Sequence, residues 1–222
     1  MIEKSTLKFL ADLSKNNYRE WFNSNKKIYE AARNNVLDAS KKLSAEIIKF
    51  DANIIFDDPK KYMFRIYRDT RFSKDKEPYK TNMGIIFSPD GTKKCQLSSY
   101  YMHIEPKECF VSCGVYMPDA EILKSIRLAI YEDFENFSEI VENKNFKKQF
   151  GTLCRDEDCL SRVPTGFDKD SPAAKYLKLK HFYVYKSFSD AEVCNSDYIE
   201  NAAKALKLTK PLHDWLNKAI LN

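Results

Sequence analysis

Arginine and lysine crowd into residues 60–80, KKYMFRIYRDTRFSKDKEPYK. There, eight basic side chains (Lys60, Lys61, Arg65, Arg68, Arg71, Lys74, Lys76 and Lys80) stand beside three acidic ones (Asp69, Asp75 and Glu77). Removing these from the chain's 37 basic and 32 acidic residues leaves 29 of each, so one segment carries the whole net charge of +5. The chemistry such residues support is anion recognition. A planar guanidinium grips phosphate or carboxylate oxygens in pairs, a lysine supplies a point charge, and interleaved tyrosines add hydroxyls and ring faces. The expected donor set is Arg65, Arg68, Arg71, Lys76 and Lys80, with Tyr79 and Tyr101 beside them. Arg127, Arg162 and Lys169 are candidates to converge from elsewhere. The competing reading pairs these cations with Asp69, Asp75, Glu77 and Asp168 in surface ion pairs worth about 0–1 kcal/mol each.

Three functions fit this chemistry. The leading one is a pocket for a small anion, phosphorylated or nucleotide-like. The second is single-stranded nucleic acid stacked on an aromatic sheet face, with cations along the backbone. The third is an enzyme using Asp69 or Asp168 as general base, although nearby cations lower a carboxylate's pKa and weaken it as a base. No P-loop, nucleophile elbow, HExxH or GxGxxG is present to name a reaction or a cofactor. The six cysteines (Cys95, Cys109, Cys113, Cys154, Cys159 and Cys194) include no CxxC pair. Four residues of strand separate Cys109 from Cys113 by roughly 13 Å, beyond the ~7 Å a disulfide tolerates. Reduced thiols and no metal site are expected. His103, His181 and His213 are read as structural or surface residues.

The elements that must position these side chains follow from apolar spacing. Residues 5–50 read as helical, with Ser5 as N-cap, Leu7, Leu10 and Leu13 on one stripe, and a break at Asn16-Asn17. A longer helix carries Ile28, Ala32, Val36, Leu43 and Ile47. Strands are expected at 63–68, 83–87, 95–104 and 108–116. The turn Ser88-Pro89-Asp90-Gly91 and the connection Glu105-Pro106-Lys107 favour antiparallel pairing. Helices follow Pro118 and run on towards Phe150. An irregular loop spans 151–171, a short helix lies near 172–179, and a strand occupies 181–188. Two helices, near 196–207 and 210–220, close the chain, with Pro211 in the first turn of the last.

Side chains alternate across a sheet, so each strand divides into two faces. Cys109, Val111, Cys113 and Val115 share one face; Phe110, Ser112, Gly114 and Tyr116 share the other. Tyr100, Met102 and Ile104 oppose Tyr101 and His103, and Phe182, Val184 and Phe188 oppose His181, Tyr183 and Tyr185. The aliphatic set should cover the core, while the aromatic-polar set either lines a cavity or packs under helices. The chain therefore reads as one α+β domain over residues 1–222, a largely antiparallel central sheet with N-terminal, middle and C-terminal helices packed on it. With 43% hydrophobic and 14% aromatic residues it should fold. It has no run of 18 apolar residues and no apolar core of signal-peptide type, so a cytoplasmic protein without membrane association is expected.

The segment FRIYRDTRFSKDKEPYK, together with Asn17-Tyr18-Arg19-Glu20-Trp21-Phe22, Tyr100-Tyr101-Met102-His103-Ile104, and Gly114 with Tyr116 and Pro118, resembles the bacterial and fungal family known as domain of unknown function 2461. Arg127, the Val163–Asp168 loop and Lys180-His181-Phe182 fit as well. The resemblance implies a single compact domain and brings no substrate or mechanism.

Overall fold

Alternating apolar residues in the middle of the chain build a four-stranded antiparallel sheet in the order β1-β2-β3-β4, with β1 Met83–Phe87, β2 Ser99–Ile104, β3 Cys109–Val115 and β4 Phe182–Phe188. The structure is a computed structural model that describes residues 1–153 and 159–222. Register places Ile85 beside Met102, Met102 beside Val111, and Cys113 beside Val184, so the aliphatic side chains of all four strands share one face. Its aliphatic and aromatic side chains are buried, while Lys186 at the β4 edge is half-buried. Gly84, Ile86, Tyr101, His103, Phe110, Ser112, Gly114 and Tyr183 share the other face and stay half-buried, apart from the fully buried Gly84.

The expected strand at 63–68 does not form as a continuous ladder, because the segment changes partner midway. Phe64 N–H donates to Gly84 O beside β1, whereas Arg68 N–H donates to Pro78 O and Lys80 N–H donates to Ile66 O. Only isolated bridges result, Met63 with Ile85 and Tyr67 with Tyr79. The run 95–98 also stays outside β2.

Helices surround the sheet. The N-terminal helical region divides into α1 Lys4–Lys15, α2 Arg19–Ser24 and α3 Lys26–Ile48, followed by the single turn α4 Pro59–Tyr62. The N-cap of α1 is Glu3, with Ser5 already inside the helix. In α3 the stripe Ala32, Val36, Leu43 and Ile47 is buried as its spacing requires, whereas Ile28 is half exposed. After β3 come α5 Ala120–Glu132, α6 Phe134–Val141, α7 Lys144–Phe150 and α8 Ala174–Leu177. After β4 come α9 Asp190–Val193, α10 Tyr198–Leu208 and α11 Lys210–Leu221. Asp119, right after Pro118, caps α5 by accepting from Ile122 N–H, and Pro211 occupies the first turn of α11, where no N–H is needed. The chain is thus α+β.

Apolar side chains gather into two clusters that meet at the sheet. One joins α1–α3, α10, β1, β2, the first part of β3 and Phe188 at the end of β4; the other joins α5–α8, α11, Phe182 and Val184 of β4, and Val115 at the end of β3. Strands β3 and β4 therefore contribute to both.

Candidate functional site

The basic segment folds as a hairpin whose base is apolar and whose tip is charged. Ile66 and Tyr79 anchor the base in the core. Asn17, the residue that breaks the first helix, clamps it: its Oδ1 accepts from Tyr79 N–H at 3.1 Å and its Nδ2 donates to Tyr79 O at 3.0 Å. Phe22 stacks on the Tyr79 ring at 4.0 Å. The tip, residues 69–77, consumes most of its own charge. Arg68 pairs with Asp75 at 2.5 Å and lies 3.9 Å from Glu77, and Arg71 grips Asp69 with two nitrogens at 2.9 and 2.7 Å. Lys76 donates to Thr70 O.

Beside the hairpin base, the aromatic-polar face of the sheet forms the floor of a cleft of about 520 Å³, a size that suits a small organic ligand. Tyr101, His103, Phe110 and Ser112 lie on the floor; Phe64 and Lys80 from the hairpin segment, Lys93 and Cys95 from the loop before β2, and Tyr116 and Tyr183 also line it. Lys80 is half-buried, with its ammonium 5.5 Å from the Phe64 ring centre. Burial first, and the neighbouring Arg65 second, lower its pKa from the ordinary lysine value. Among the described residues no carboxylate pairs with it. Lys93 donates to Met63 O at 3.2 Å, which ties that wall to the hairpin segment.

One side of β2 carries a hydrogen-bonded chain. Tyr101 Oη lies 3.1 Å from His103 Nδ1, and His103 Nε2 lies 2.8 Å from Glu105 Oε2. Thr81 Oγ1 donates to Glu105 Oε1 at 2.5 Å, and the His103 ring stacks on Phe110 at 4.5 Å. The hydrogen bond from His103, reinforced by Thr81 and Asn82, holds Glu105 below the usual carboxylate range, whereas burial and then the charge of Glu105 push Tyr101 up. Gly84 makes room for this chain: a Cβ there would lie 2.0 Å from Tyr101 Oη. At Gly114, φ is +136° and a Cβ would lie 2.1 Å from Phe182 O, so the β3–β4 edge of the floor also requires glycine.

Of the ten side chains expected to bind an anion, Lys80 and Tyr101 line the cleft. Arg65 is exposed and acts on it only through its charge at Lys80. Arg68, Arg71 and Lys76 belong to the self-paired tip, and Tyr79 is a core residue, 3% exposed. Arg127 sits on α5, where its Nη2 donates to Leu179 O at 2.8 Å and its buried Nε finds no partner among the described residues. Arg162 and Lys169 are exposed on the 159–171 loop. Asp69 is held below the ordinary carboxylate range by Arg71, and Asp168 is exposed. His103 and Glu105 are the residues that sequence reasoning missed. The signal was their spacing with Tyr101, alternate positions on one strand face, which was hidden because Glu105 reads as part of a turn before Pro106.

A second polar group lies on the opposite, aliphatic face. Buried Asp51, just beyond α3, accepts from Tyr100 Oη at 3.0 Å and lies 3.2 Å from His213 Nε2 of α11. Asn217 accepts from Ser98 N–H with Oδ1, which turns its Nδ2 to donate to His213 Nε2 at 3.1 Å. The His213 ring stacks on Tyr100 at 4.6 Å, and its Nδ1 lies 3.9 Å from Cys113 Sγ. Asp51, His213 and Asp214 stand close enough to hold a cation, but their atoms are committed to Tyr100, Asn217 and Lys210. This group is a buried structural network. Cys95, Cys109, Cys113 and Cys194 are free thiols; Cys154 lies outside the described residues.

No curated protein and no solved structure matches the chain. The family model described as conserved hypothetical protein (DUF2461) matches residues 5–215, which takes in both the hairpin and the cleft floor: the chain belongs to that family.

Proposed function

We propose that the protein binds a small anionic ligand, phosphorylated or nucleotide-like, in the cleft over the aromatic-polar face of the sheet. The observation that carries this reading is Lys80. A cation that is half-buried, destabilised by a neighbouring arginine and without a carboxylate among the described residues lacks the counter-charge that a buried ion needs. An anion in the cleft supplies it. Lys93 and Tyr101 add donors, while Phe64, Phe110, Tyr116 and Tyr183 offer ring faces to an apolar or aromatic body. The free thiols of Cys95, Cys109, Cys113 and Cys194 support a reducing, cytoplasmic setting.

A ligand that binds the folded protein alone raises its melting temperature by mass action. Inorganic phosphate and mononucleotides should therefore shift the melting curve saturably, and native mass spectrometry of freshly purified protein should show a retained small anion. A melting curve unmoved by any of these at millimolar concentration, together with a bare native mass, would overturn the reading.

One observation favours a second reading, single-stranded nucleic acid. Phe72, at the hairpin tip, is 94% exposed, with the Arg71 guanidinium 5.7 Å from its ring centre and Lys74 and Lys76 nearby in the chain. Such a tip suits base stacking beside backbone phosphates. It requires affinity that grows with oligonucleotide length, falls steeply with salt and is lost in Phe72→Ala. Length-independent binding sensitive to Lys80 and indifferent to Phe72 would reject it.

A further inference from the structure

We propose that an anion binding in the cleft takes up one proton, and that the proton is received by His103 Nδ1, so that His103 switches Tyr101 from an acceptor into a donor towards the ligand. This inference rests on the cleft being the anion site.

The geometry defines the switch. Glu105 is fixed as an ionised acceptor by His103, Thr81 and Asn82, so its partner nitrogen, Nε2, keeps a proton in either state of the ring. The nitrogen left to titrate is Nδ1, 3.1 Å from Tyr101 Oη. With neutral imidazole, Nδ1 accepts the phenol hydrogen, and Tyr101 has only lone pairs to show to the cleft. With imidazolium, Nδ1–H donates to Tyr101 Oη and the phenol hydrogen must turn to another acceptor. Among the described residues Tyr101 Oη has no hydrogen-bond partner besides His103, so that acceptor is a group in the cleft.

The surroundings keep the switch in place. Its phenol packs over Gly84, the cross-strand neighbour of His103, and the imidazole is stacked on Phe110. The titratable and charged groups around His103 are Tyr101 and Glu105 from β2 and the residue after it, and, lining the same cleft, Lys80 from the hairpin, Lys93 and Cys95 from the loop before β2, Tyr116 after β3 and Tyr183 from β4; β1 and β3 present Gly84 and Phe110, which carry no charge. An anionic oxygen at Tyr101 therefore favours the imidazolium twice, by accepting the freed phenol hydrogen and by placing a negative charge close to the ring. By linkage, the proton then favours the anion to the same extent.

The test is calorimetric titration of adenosine monophosphate into the protein near pH 8. At that pH the phosphate, with a second pKa of about 6, is already a dianion, so a proton taken up on binding goes to the protein. Matched runs in Tris and HEPES, whose ionisation enthalpies differ, count protons exchanged with buffer. We expect uptake approaching one proton per ligand and affinity that falls as pH rises further. His103→Asn keeps an amide near the position of Nδ1 without a titrating group, and it should bind with no proton uptake. It also separates His103 from Lys80, the other group able to take up a proton. Should that variant fail to fold, nitrogen-15 NMR of the wild type carries the same question, with Nδ1 of His103 gaining its proton on saturation. Binding without proton uptake, or uptake that persists in folded His103→Asn, would overturn the switch while leaving the anion site intact. No binding of the nucleotide or of inorganic phosphate would overturn both.

Discussion

At the scale of single residues, Arg68 and Arg71 of the basic segment are paired with carboxylates, whereas the half-buried Lys80 has none among the described residues. Arg71 is 76% exposed on its pair with Asp69, and solvent screening leaves such a pair weak. Arg71→Ala should therefore change neither stability nor ligand affinity measurably, as urea unfolding and a binding titration would show. Glycine at position 84 has a sharper role. A methyl group there would run into the Tyr101 phenol, so Gly84→Ala should cost about 1–3 kcal/mol by overpacking and displace Tyr101 from the cleft. In a double-mutant cycle with Tyr101→Ala the two changes should couple by about 0.5–3 kcal/mol, because the smaller side chain removes the collision. Strict additivity of the two changes would contradict that packing.

At the scale of elements, the C-terminal helix α11 is fastened to the sheet by a histidine that must stay neutral. Burial lowers the pKa of His213 from 6.5, and the amide of Asn217 donates to the nitrogen that would otherwise carry the extra proton. The unfolded chain then binds more protons than the folded one as pH falls below about 6.5, so this contribution to stability is complete above that pH and is lost on acidification. Urea midpoints should fall between pH 7.5 and 5.5, and His213→Phe, which keeps an aromatic ring against Tyr100, should flatten that fall. A midpoint constant across this range would contradict a neutral, buried His213. Element positions were legible in the sequence where apolar spacing was regular, as in α1, α3 and the four strands of the sheet. The two-faced strands were also legible, and with them the existence of an aromatic-polar surface. Antiparallel pairing across the short connections was legible too, but the register and the partners of residues 63–68 were not, and these decide which basic residues reach that surface. Alternation at 63–68 reads as one strand, yet the segment divides its hydrogen bonds between β1 and residues 78–80. That division turns Lys80 and Phe64 to the cleft and leaves the arginines on the tip. The His103–Glu105 contact was hidden for a related reason, since a residue before Pro106 reads as a turn and carries no sign of which strand face it continues.

For the whole molecule, the strands β3 and β4 that the two apolar clusters share lead to the prediction of a single cooperative unit. The tryptophans fall one to each cluster, Trp21 in the first and Trp215 in the second. Single-tryptophan variants, Trp215→Phe and Trp21→Phe, should report fluorescence transitions that coincide with each other's own far-ultraviolet melting curve; a variant whose fluorescence and far-ultraviolet transitions separate would indicate two units. The second face of that sheet is the floor on which Tyr101 and His103 line the same cleft as Lys93 and Lys80. The claim that this floor and Lys80 form an anion site meets its most direct test in one titration. Adenosine monophosphate is titrated into wild type, Lys80→Gln and Arg71→Ala at fixed ionic strength. Losing a hydrogen bond to a charged group costs about 1.5–3 kcal/mol, so Lys80→Gln should bind roughly ten- to hundred-fold more weakly, with Arg71→Ala indistinguishable from wild type. Equal affinity in wild type and Lys80→Gln, or a loss confined to Arg71→Ala, would contradict an anion site in the cleft.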